Sequence, residues 1–226
     1  MTFSPSFGRI FSPSFKPNSL AEVEVTSSWW LSGGISAANC IGAYQAKGAA
    51  DYAASKVNLA NPGTYNLTAT SDPSFATATG WTFSGSEYLI TGITPAADWS
   101  FIVQYEHTVT TTHGLFGSEG TVNTRFFILL TSTAIGYGAG GYQSKTPQQQ
   151  SGNVCLSGSA GYRNGTSTDA ITRSWSGTAQ PMIIGGLNSA GTPGLLMTGK
   201  ITSIAFYNAA ITSDQVSAVY TAMNAL

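Results

Sequence analysis

Charge is what this sequence has least of. Asp, Glu, Lys and Arg make up 8% of its 226 residues, against about 25% in ordinary globular chains. The formal net charge is -1, and no basic run occurs. Nucleic acids and anionic membrane surfaces are held by clustered Lys and Arg, so neither is an expected partner. Cysteine is scarce too. Cys40 and Cys155 lie far apart and could either pair or stay as two buried thiols, and no metal-ligand spacing surrounds either. No metal or cofactor is therefore expected. No apolar run reaches the ~18 residues of a membrane-spanning helix.

Disorder does not follow from these absences, because 42% of the chain is apolar and 12% is aromatic. Gly, Ser, Thr and Ala take the place of charge. The length suits one large β-domain with a real core. A surface with few charges suits a protein held in an assembly or facing the outside of a cell.

The N-terminus, MTFSPSFGRIFSPSFKP, lacks the charged and apolar regions of a secretory signal. With Met1 in place, release by lysis is the expectation. Phe3-Ser4-Pro5-Ser6-Phe7 recurs as Phe11-Ser12-Pro13-Ser14-Phe15. Proline and serine exclude a helix here and discourage a central strand. A disordered tail is the plain reading. However, Phe3, Phe7, Phe11 and Phe15 could each contribute roughly 1.5–3 kcal/mol if docked. Residues 1–18 are thus expected to be an extended anchoring arm, and residues 19–226 one β-domain.

Further along, Ala21, Val23 and Val25 alternate with Glu22 and Glu24, the pattern of a half-buried strand. Trp29 and Trp30 would point to opposite faces of an extended chain, one of them into the core. Residues 49–55 could form a turn or two of helix, and Asn61-Pro62-Gly63 is a turn. Gly138–Gly152 reads as a polar loop. Near the C-terminus, Lys200–Tyr207 carries apolar groups on both faces, with Ile204 and Phe206 on one parity and Ile201, Ala205 and Tyr207 on the other. A helix is expected over 213–223, with Thr212 as N-cap and Gln215 completing a capping box.

Several of these stretches resemble laminin-G-like, concanavalin A-like domains. They are Trp81–Ile90, Trp99–Glu106, Tyr162-Arg163-Asn164-Gly165, Ile184-Gly185-Gly186, Gly199-Lys200-Ile201, Phe206-Tyr207-Asn208 and Ile211–Val216. The resemblance covers roughly residues 80–226. It implies an all-β fold, a two-sheet antiparallel jelly-roll sandwich with a short C-terminal helix. Asn164-Gly165 suits the left-handed positions of a type I′ turn.

Function is less directly written. Glycosidases of that superfamily place two or three carboxylates on one strand. Here only Glu22 and Glu24 sit two apart, so no catalytic residue is expected and the chain reads as non-enzymatic. His107 and His113 read as surface strand or loop residues. Asn164 and Asp169 are weak candidates for a structural calcium, and no metal site is assigned. Tyr137, Tyr142 and Trp175, with the Gln143–Gln150 loop, offer rings and amides for a glycan, although Tyr137 and Trp175 read more readily as core. The stretch after Trp29-Trp30 resembles uncharacterised phage proteins. The resulting expectation is a virion protein, either head-decoration or tail-associated. Its arm would bind capsid or tail subunits in a homo-oligomer such as a trimer, and cell-surface glycans are a possible ligand. The alternative is a secreted carbohydrate-binding module or glycosidase relative.

Overall fold

In the computed structural model, residues 28–107, 111–120, 123–176 and 179–226 are described. The arm over 1–18, with Phe3, Phe7, Phe11 and Phe15, and the Ala21–Val25 strand lie outside the described residues. Sixteen strands and two α-helices, numbered in chain order, occur among the described residues.

β16 (Thr198–Tyr207) is apolar on both faces because it lies in the middle of the first sheet. One of its edges pairs antiparallel with β6 (Ser100–His107). The other pairs first with β4 (Gly80–Ser84) and then with β1 (Cys40–Gln45). Beyond β6 come β10 (Ser151–Ser157), β11 (Ala160–Arg163) and β12 (Thr166–Ala170), and beyond β4 comes β3 (Ser74–Ala76).

The second sheet is built around β7 (His113–Glu119). One edge of β7 pairs with β8 (Arg125–Leu130), which pairs with β9 (Ile135–Lys145). The other edge pairs antiparallel with β13 (Ile183–Ile184) and then in parallel with β14 (Leu187–Ser189). β5 (Tyr88–Ile90) and β2 (Thr68–Ser71) continue from β13, and β15 (Thr192–Gly194) from β14. The two sheets stack as the expected jelly-roll sandwich.

The main core lies between them. Phe101, Phe116, Phe126 and Phe206 meet edge to face, with Phe101 and Phe116 centroids 4.6 Å apart, a geometry that adds about 0.5–1.5 kcal/mol per pair beyond area burial. Ile201 joins Ile204 and Phe206 in this core, which departs from the simple parity. A bulge between Ile201 and Ser203 inserts one residue and flips the alternation.

A second cluster lies on the outer face of the first sheet, under α2 (Ser213–Asn224). Val216, Val219 and Met223 pack there on Ile102, Cys155, Ala205 and Tyr207. The helix starts with the expected capping box, in which Gln215 N–H donates to Thr212 Oγ1 at 3.3 Å and Thr212 N–H to Gln215 Oε1 at 2.9 Å. Trp29 and Trp30 both enter this cluster, because the chain there is a 3-10 turn and not the extended segment expected. Cys40 and Cys155 are free, buried thiols. Residues 49–55 supply one short helix, α1 (Tyr52–Ser55), capped by Asp51.

Candidate functional site

The two sheets are tied together at one edge by residues that the polar loop and the Asn-Gly hairpin bring into contact. β9 ends the second sheet and β12 ends the first. Asn164 and Gly165 take φ of 50° and 76°, as a two-residue left-handed turn requires, so β11 folds directly back onto β12. Arg163 and Asp169 then face each other. The guanidinium donates through Nε to Asp169 Oδ2 at 3.0 Å and through Nη2 to Oδ1 at 3.2 Å. Its remaining donors reach the carbonyls of Pro147 and Lys145, so one side chain holds the loop after β9 onto the hairpin. Tyr137 O–H donates to Asp169 Oδ2 at 3.1 Å, and burial holds its phenol far above the ordinary range.

Arg163 and Asp169 form the floor of a cleft of about 330 Å3. Its walls are Thr146, Pro147, Gln148, Gln149 and Thr168. Gln149 donates to Ser151 O at 2.8 Å and Asn164 Oδ1 at 3.1 Å, and Tyr105 O–H donates to Gln149 O at 2.8 Å. Gln148 Nε2 lies 2.8 Å from His107 Nε2. Amides, a hydroxyl and a carboxylate–guanidinium pair, held in place by each other, suit a neutral ligand rich in hydroxyls. The two charges offset each other, which disfavours a ligand of strong single charge.

The rings expected to stack on a sugar have different fates. Tyr137 is fully buried between the sheets and offers no face to a ligand, because its position on β9 points inward. Trp175 is half-buried against the main core. Tyr142 is 43% exposed, equal to Leu195 and just below Tyr65 at 44% among the large hydrophobic side chains of the described residues. It lies on the outer face of β9, three residues before the Lys145 carbonyl that binds Arg163. Its ring rests on Gly136, where a Cβ would come within 2.6 Å of Cε2, and leans on Phe127 with centroids 6.2 Å apart. Beside it, Gln143 makes two hydrogen bonds to the Thr172 backbone. The segment carrying Trp175 crosses close over Gly140, φ 85°, where a Cβ would overlap Ser174 O.

His107 and His113 are not surface residues. They are 1% and 2% exposed, with centroids 4.9 Å apart. Burial first, and the neighbouring His107 second, push His113 down to about 4. Gln148 and Gln149 belong to the Gln143–Gln150 loop singled out from the sequence, whereas Arg163 and Thr168 were not singled out as site residues. The Gln-rich loop and the Arg-Asn-Gly turn were the available signals, but nothing local shows that they meet.

No protein-family model matches the chain, and no curated protein does. Solved structures share its fold. A mutant of Trypanosoma rangeli sialidase displaying trans-sialidase activity superposes on 82% of this chain at 13% identity and TM-score 0.58. The same sialidase in complex with sialic acid superposes on 81% at 15% identity and TM-score 0.57. This chain spans about a third of those sialidase chains, 33% in each case. Domain 4 of AbnA, a GH43 extracellular arabinanase from Geobacillus stearothermophilus, in complex with arabinotriose, superposes on 80% of this chain and 98% of its own length, at 16% identity and TM-score 0.54. What these structures share with the chain is the fold, a two-sheet antiparallel jelly-roll sandwich. The expectation of a non-enzymatic protein is corrected here. Structures that share the fold include a sialidase and a domain of an arabinanase, both enzyme-associated, so the fold does not support a non-enzymatic reading.

Proposed function

We propose that this chain is a carbohydrate-binding β-sandwich module related to those of glycan-acting enzymes, and that the Arg163–Asp169 cleft receives the sugar. The observation that carries the reading is the buried, bidentate ion pair at the base of an amide-lined cleft, on a fold shared with a domain solved with arabinotriose. Asp169 already accepts three hydrogen bonds, and a carboxylate has about four lone-pair sites, which leaves about one for a sugar hydroxyl. Tyr142, with one face seated on glycine and the other open, adds a stacking surface upstream on β9.

The virion role expected from the sequence is a separate proposal. It is supported by the phenylalanine repeat and the low charge, whereas the fold neighbours favour the glycan reading. The test is calorimetric titration of the full chain with arabinotriose and with sialic acid. Saturable binding of the neutral arabinotriose, weakened about tenfold or more by Asp169→Asn, is expected, a loss of about 1.4 kcal/mol, with the anionic sialic acid bound more weakly. No binding of either sugar, or binding indifferent to Asp169→Asn, would remove this cleft as the site.

A further inference from the structure

His107 and His113 come from different sheets, β6 and β7, yet their rings meet edge to face behind the loop that walls the cleft. The contact that reaches the cleft is Gln148 Nε2 on His107 Nε2, at 2.8 Å. An amide nitrogen can only donate. The arrangement therefore requires a lone pair on His107 Nε2, the neutral ring with its proton on Nδ1. A doubly protonated imidazole would set two donors against each other at that distance. The Gln148 side chain would then have to turn over, presenting its carbonyl to the ring and its NH2 on the far side, or leave.

Resting on the glycan reading above, we propose that His107 is a positioning residue for the cleft, and that its neutral form holds Gln148 in the orientation that binds ligand. Acidification then reverses or frees the amide and releases the sugar. The groups facing His107 fit a proton-sensitive position. Tyr105 lies 6.2 Å away on its own strand, and His113 stacks from β7. Gly199 is its register partner on β16. The nearest charges on these strands, Glu106 and Lys200, are the next register pair and meet each other at 3.6 Å. Arg163 is the cation on the cleft side and is occupied by Asp169. His113 Nε2 has no hydrogen-bond partner among the described residues, and burial disfavours its charging, so it stays neutral beside His107.

The experiment uses the full chain, isotopically labelled, with the Gln148 side-chain amide signals assigned through their loss in Gln148→Met. They are followed with the His107 ring signals from about pH 7.5 to about pH 5, the range in which imidazole titrates. Arabinotriose affinity is measured in parallel. The Gln148 signals should move with the His107 titration. The apparent Kd should rise about fivefold or more on acidification, a change that Gln148→Met reduces to less than about twofold. Gln148 signals that stay still while His107 titrates would overturn the proposal, as would an undiminished pH dependence of Kd in Gln148→Met. If arabinotriose and sialic acid bind at no pH, the glycan reading fails, and the coupling of Gln148 to His107 is still decided by the spectra.

Discussion

Arg163 and Asp169 face each other across a two-residue turn, joined by two hydrogen bonds of 3.0 and 3.2 Å, with their side chains only 11% and 8% exposed. Removing one partner strands the other charge away from water. Asp169→Asn should therefore cost about 3 kcal/mol of stability, read as a lowered midpoint in urea unfolding. A loss below about 1 kcal/mol would place the pair in the weak, solvated class.

Stability should fall between about pH 6.5 and about pH 4. His113 titrates near 6.5 in the unfolded chain and is pushed down to about 4 in the folded one. In that window the unfolded state binds more protons, so folding weakens as pH falls, by at most about 1.4 kcal/mol per pH unit for one proton. Urea unfolding across the window, repeated on His113→Gln, checks this. The variant should lose that share of the slope, and an unchanged slope would exclude His113 as its source.

Tyr142 and Gly136 separate binding from folding. Tyr142→Ala removes a ring that is 43% exposed and should cost no more than about 1 kcal/mol of stability, while weakening sugar binding about tenfold. Gly136→Ala leaves the ring present but places a methyl against it at 2.6 Å. Its exposed tip can move, so the fold should persist and affinity fall. Equal affinity in wild type and both variants, measured by calorimetry, would rule out stacking at this position.

Thr212→Ala removes the side-chain half of the α2 capping box. The expected cost is about 1 kcal/mol. Because α2 covers Trp29, Cys155 and Tyr207, that cost should appear in global unfolding and not only as fraying, observable as equal shifts in tryptophan fluorescence and far-UV circular dichroism. A shift in circular dichroism alone would show that the helix unfolds apart from the sandwich.

What the sequence determined by itself was local. The helix over 213–224 follows from Thr212 and Gln215 and an apolar stripe four residues apart or fewer. The β11–β12 hairpin follows from Asn164-Gly165, because only such residues tolerate two consecutive positive φ values cheaply. The strand Lys200–Tyr207 follows from its apolar content. In each case the interacting groups are neighbours along the chain, so the pattern states the geometry. The tertiary structure decided the rest. The bulge at Ile201/Ser203 moved Ile201 onto the core face against its parity. Tyr137 turned inward, deciding for the core between the two readings that its sequence left open. His107 and His113, six residues apart, entered different sheets and met again as a buried pair. Arg163 and Asp169 met the Lys145–Gln149 loop only because the edges of two sheets come together there. Long-range pairing selects these contacts, through burial and hydrogen bonds whose partners lie dozens of residues away, and no spacing along the chain records which of them will form.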